Sequence, residues 1–121
     1  VVTKEALLEI ALKCRAEILS VPAKERHILF QTFPKGACGG ASEKLGQIVA
    51  DTFNCQVQYV FARRRWGKFM SHAWITVNGL IVDITADQFK DGPPVFIGPI
   101  VAYEKEWEIE GSWEIRPSVL L

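Results

Sequence analysis

The chain has no surplus charge of either sign: 14 Lys and Arg stand against 14 Asp and Glu in 121 residues. Nucleic-acid binders carry an excess of basic residues, so no nucleic-acid partner is expected, nor any partner recognised mainly by charge. The run Arg63-Arg64-Arg65 is local and reads as a solvated strand end, with Trp66 as a single stacking aromatic beside it. Long apolar runs are also missing. Nothing approaches the ~18 residues of a membrane span, and the segment around Lys4 and Glu5 is amphipathic rather than the apolar core of a signal peptide. Val1 stands where a Met would open a nascent chain, which reads as a chain processed, trimmed or cut from something larger. Cysteine is scarce. Three thiols cannot all pair within the chain, a pattern that suits a reducing, cytoplasmic compartment better than a disulfide-stapled one. With no repeat, low-complexity tract or cofactor-binding motif in view, no cofactor is expected.

What is present suits one α+β domain over residues 1–121. Hydrophobic residues make up 49 % of the chain, enough for a core, and charged residues 23 %, which excludes the composition of a disordered chain. Leu7, Ile10, Ala11, Cys14 and Ile18 recur at helical spacing, widened by Leu8, and predict a helix over 3–20 capped by Thr3. Cys14 falls on its buried stripe. Pro22 stops it. Residues 21–40 have no clean period, with Ile28, Leu29, Phe30 and Phe33 packing a connection onto the core and His27 structural or on the surface. A second helix is predicted from Cys38 to about Phe53, with Gly46 marking close packing against a sheet. From residue 56 the period changes to two. Strands are expected at 56–65, 69–77 and 80–84, then a short edge strand at 95–97 and a half-exposed one at 104–110 that Trp113 and Ile115 continue.

The turn Asn78-Gly79 makes one part of the geometry computable. A two-residue turn pairs Val77 with Leu80, Thr76 with Ile81, Ile75 with Val82 and Trp74 with Asp83. His72, Trp74 and Asp83 then share a face, and Asp83 is diagonal to His72, within reach of an imidazole. Asp87 is the rival acid, lying beyond the strand. Cys38 is placed at a helix start, between Gly36-Ala37 and Gly39-Gly40, where unpaired N–H groups stabilise a thiolate and a developing oxyanion. The three make a nucleophile, a base and an orienting acid. A zinc site would have Cys38, Cys55, His72 and Asp83 to draw on, but the short Cys-x-x-Cys spacings of structural zinc are absent.

The segments 33–42 (FPKGACGGAS), 71–75 (SHAWI) and 82–89 (VDITADQF) resemble bacterial members of the transglutaminase-like, papain-like cysteine superfamily. There a helix-borne cysteine precedes a histidine and an acid on consecutive antiparallel strands, matched here by Cys38, His72 and Asp83. The resemblance implies a transglutaminase-like core and thiol-dependent chemistry on peptide, protein or small amide substrates through a thioester. Hydrolysis makes such a protein a peptidase or amidase; transfer to an amine makes it an acyltransferase. Papain relatives also carry an oxyanion glutamine shortly before the cysteine; Gln31, seven residues before Cys38, fills that role only if the loop bulges. Trp66, Phe69 and Trp74 are the expected pocket aromatics. The alternative is a silent binding or inhibitory domain of the same fold, docking a protein partner or a second copy through the C-terminal strands.

Overall fold

In the computed structural model, which describes residues 2–89 and 91–118, two helices pack on one face of a five-stranded antiparallel sheet. Helix α1 is Lys4–Ser20 and helix α2 is Cys38–Phe53. The strands are β1 (Val57–Arg64), β2 (Ser71–Val77), β3 (Leu80–Asp83), β4 (Phe96–Pro99) and β5 (Trp107–Ile115), in the spatial order β4-β3-β2-β1-β5. Short 3-10 turns at Ala23–Glu25, Ile28–Phe30, Ala86–Gln88 and Ile100–Tyr103 fill the connections.

The helices form where the apolar period placed them. The Thr3 hydroxyl accepts from the Ala6 amide at 3.1 Å and caps α1, whose buried stripe is Leu7, Ala11, Cys14 and Ile18. Leu8 lies outside that stripe, 42 % exposed, because the contact face of α1 is narrower than its apolar content. Helix α2 buries Ala41, Leu45, Gly46, Val49 and Ala50 and ends at Asn54, whose positive φ of 49° supplies the left-handed cap.

The sheet separates two apolar layers. The helix side joins both helices to Val57, Tyr59, Ala73, Ile75, Val77, Val82, Ile84, Ile97 and Ile115; the far side gathers Val60, Ala62, Trp74, Ile81 and Trp107. Leu7, Leu45 and Ile75 are fully buried, each contributing roughly 1.5–3 kcal/mol of transfer free energy. The β2–β3 hairpin has the expected register, Ile75 to Val82, Thr76 to Ile81 and Val77 to Leu80, and both Asn78 and Gly79 have positive φ.

The tail departs from a simple alternation. Ile100–Tyr103 is a 3-10 turn and β5 starts at Trp107 rather than at Glu104. Phe61 pairs with Gly111 while Ala62 pairs with Ile109, so Glu110 is the extra residue of a β-bulge. The bulge flips the parity of the strand: Trp107 before it packs in the far layer, whereas Ile115 after it packs on the helix side. The arginine run is not free either. Arg63 and Arg65 reach Glu108 and Arg64 reaches Glu106, so all three arginines are ion-paired to two carboxylates of the tail. Among the described residues no helix is long and apolar enough to cross a membrane.

Candidate active site

The period-2 pattern of β2 and the tight turn after it set His72 and Asp83 side by side. His72 Nε2 and Asp83 Oδ2 are 2.6 Å apart, and both side chains are buried. Asp83 receives three further donors. The Tyr103 hydroxyl reaches Oδ2 at 2.6 Å, and the Thr85 amide and hydroxyl reach Oδ1 at 2.9 and 3.3 Å. Burial opposes the carboxylate, but its hydrogen bond to His72, the imidazolium charge and the Tyr103 and Thr85 donors outweigh it and hold Asp83 below the usual range. Tyr103, with its own ionisation pushed far up by burial and by Asp83, stays a donor.

His72 Nδ1 has the Gln88 amide 3.3 Å away, and that amide also reaches the Thr85 hydroxyl at 3.2 Å. Burial works against a charged imidazole. The hydrogen bond to Asp83, the contact with Cys38 and the negative charge of both prevail and push His72 up to about 9. An edge-on Phe89 ring, 4.8 Å between centroids, and Trp107 at 5.3 Å hold the imidazole in place.

Cys38 is the first residue of α2, with Ala37 at the cap and no side chain occupying the helix end. Burial raises its thiol, yet the contact and charge of His72 and the Ala73 amide bring it below the ordinary value. The buried Ser42 hydroxyl, one turn on, donates to the Ala73 carbonyl at 3.2 Å and ties the helix to β2 beside the site. The small residues after Cys38 serve packing: a Cβ at Gly39 would lie 3.2 Å from the Tyr59 hydroxyl, and one at Gly40 would press on Leu29 and Phe30. Cys38 and His72 open together into a cavity of about 340 Å³ that Tyr59, Phe61, Glu110 and Trp113 also line.

The structure therefore brings Cys38, His72 and Asp83 together and separates the rivals. Asp87 is taken by Arg15 of α1, with contacts of 2.9 and 2.5 Å, while the same guanidinium donates to the carbonyls of Ile84 and Pro94. The exposed Gln31 amide donates to the Arg26 carbonyl at 3.3 Å and does not line the Cys38 cavity. The ring nitrogen Nδ1 of His27 caps a 3-10 turn by accepting from the Leu29 amide. Among the described residues no three His, Cys, Asp or Glu are grouped as a metal ion would need. Cys14, Cys38 and Cys55 are all free thiols.

Two sets of residues escaped the sequence reading. Tyr103 and Gln88 complete the His72–Asp83 network from 3-10 turns that carry no periodic signal. The aromatics at the cavity are Tyr59, Phe61 and Trp113; the expected Trp74 is buried on the far side of the sheet, and Trp66 and Phe69 are exposed away from Cys38. Compared with protein-family models, with curated proteins and with solved structures, the chain matches none.

Proposed function

We propose that this chain is a cysteine-dependent hydrolase or acyltransferase of the transglutaminase-like, papain-like kind, acting on peptide or amide bonds. The observation that carries this reading is a buried imidazole hydrogen-bonded to a carboxylate at 2.6 Å and lining one cavity with a helix-borne thiol. His72 takes the Cys38 proton, and the thiolate attacks the substrate carbonyl carbon. The carbonyl electron pair moves onto oxygen, beside the uncapped N–H groups at the start of α2. When the C–N bond breaks, His72 returns its proton to the departing nitrogen and a thioester remains on Cys38. Water or an amine then attacks the thioester, His72 again holding the proton, and Cys38 is released. Asp83 keeps Nε2 protonated and steadies the imidazolium throughout. Three free thiols accord with a reducing, cytoplasmic setting.

The second reading is a silent domain of the same architecture that binds a partner. It is favoured by the near-complete burial of His72 and by Ile109 and Trp113 exposed on the edge strand β5. Alkylation of Cys38 by iodoacetamide across pH, followed by mass spectrometry, separates the two. A catalyst labels preferentially at Cys38 with an apparent pKa well under the ~8.5 of a free thiol, and His72→Ala returns the profile toward that value. A Cys38 that ionises like an ordinary thiol, or never labels in the folded chain, leaves only the binding reading.

A further inference from the structure

One wall of the Cys38 cavity has no part in the proposed bond chemistry. Tyr59 and Trp113 stack across β1 and β5 with centroids 4.1 Å apart and planes 11° from parallel. Phe61 leans on Trp113 at 5.7 Å, and these two rings remain 37 % and 46 % exposed. Aromatic faces are therefore open to whatever enters beside the thiol. Glu110 lines the same cavity because the bulge leaves it without a partner on β1 and turns it there. Gly111 is part of the device, since a Cβ at that position would collide with the Phe61 ring.

Charge completes the picture. Of the three glutamates on β5, Glu108 is paired with Arg63 and Arg65, and Glu114 with Arg116. Glu110 has no cation among the described residues. A carboxylate without a counter-charge, set beside open π faces, attracts a cation twice over and repels an acid. The chain as a whole is neutral, so this selectivity is local rather than a property of the overall field.

We propose that Glu110, Phe61 and Trp113 form a subsite for a positively charged group, so that the substrate is a peptide or amide bearing a cationic side chain next to the carbonyl that Cys38 attacks. This rests on the reading of Cys38 as the nucleophile, and the test is chosen to keep the two apart. Cys38 is modified with a trimethylammonium-bearing and a sulfonate-bearing methanethiosulfonate; in each case the thiolate forms a mixed disulfide and a sulfinate departs. Rates at Cys38 are followed by mass spectrometry and normalised to those of a free thiol.

The expected result is a normalised preference for the cation that Glu110→Gln lowers roughly fivefold at low ionic strength. Trp113→Ala lowers it roughly twofold by removing the ring face. Glu9→Gln, which removes the same charge from α1, leaves it unchanged. Should Glu110→Gln not fold, added salt weakens the preference in the unaltered chain by screening the same carboxylate. A normalised ratio of one, or a preference indifferent to both Glu110→Gln and salt, overturns the subsite. Charge selectivity at a Cys38 with an ordinary thiol profile would retract the nucleophile and keep the cation site. Competition locates the charge: better protection by an acetylated lysine amide than by a simple diamine supports a cation on the acyl chain, and the reverse overturns that placement.

Discussion

Asp83 Oδ2 is shared by two donors, the His72 ring and the Tyr103 hydroxyl, and this sharing sets how strongly the carboxylate supports an imidazolium. Changing the acid or its second donor should move Cys38 in opposite directions. In Asp83→Asn the negative charge is gone, His72 becomes a weaker base, and the apparent pKa of Cys38 alkylation rises toward the free-thiol value. In Tyr103→Phe the carboxylate loses a competing donor and acts more fully on His72, so the Cys38 pKa falls further. The lost hydrogen bond costs about 1 kcal/mol of stability in a urea titration. Shifts of the same sign in the two variants would show that Tyr103 does not act through Asp83. His72 and Asp83 were legible as a pair because alternation along β2, a two-residue turn and a diagonal contact are all local. Tyr103 was not, since it comes 20 residues after Asp83, on a 3-10 turn beyond β4 and outside the hairpin.

Helix α2 carries the nucleophile, and its seat on the sheet depends on Gly46. A Cβ there would press on the Ile115 Cδ1 and lie 3.3 Å from Ile75 Cγ2. Gly46→Ala gains ~1 kcal/mol of helix propensity but overpacks a buried contact at ~1–3 kcal/mol, for a net loss of roughly 1 kcal/mol. Ile115→Val removes the crowded methyl, so the double variant should recover part of that loss beyond additivity. A Gly46→Ala chain more stable than its parent would contradict the close seat. The glycine inside an apolar period announced this contact in the sequence, whereas the clamp from α1 left no trace there. Arg15 lies on a surface helix, and its partners Ile84, Asp87 and Pro94 are 69 to 79 residues away. Only the folded chain turns an ordinary helical arginine into the anchor of the loop after β3. The same contact removes Asp87 from competition with Asp83.

At the scale of the molecule, stability against pH follows from proton counts. The folded chain keeps the His72 proton above the unfolded value of ~6.5 and gives up the Cys38 proton below the unfolded value of ~8.5. The two shifts act on the slope with opposite signs. His72 makes stability fall as pH rises from ~6.5 through about 9, and Cys38 makes it rise as pH passes from its lowered folded value to ~8.5, so each offsets part of the other. Above ~8.5 the unfolded pair has released its proton while the folded one retains it, so stability falls as pH rises through about 9. Asp83 acts at the other end. Its lowered pKa stabilises the fold above the unfolded value of ~3.9, and this is lost as pH falls through the folded value. Denaturant melts from pH 3 to 10 should show a maximum with two falling sides, the acid side shallower in Asp83→Asn. A stability that does not fall as pH rises from ~8.5 through about 9 would contradict the raised value of His72.

The α+β class, both helices, the hairpin register and the grouping of His72 with Asp83 came from the order of residues alone, because each rests on interactions a few residues apart: helical and strand periods, a cap, a turn. The choice of Asp83 over Asp87, the displacement of Gln31 from the site, the aromatic wall and the bulge at Glu110 belong to the tertiary structure. They depend on which distant segments compete for the same partner. Arg15 crosses from α1 to claim Asp87, and β5 returns from the end of the chain to lie on β1, bringing Glu110 and Trp113 to a thiol more than 70 residues before them. Local periodicity carries no information about such pairings, since the free energy that selects them appears only when the sheet closes.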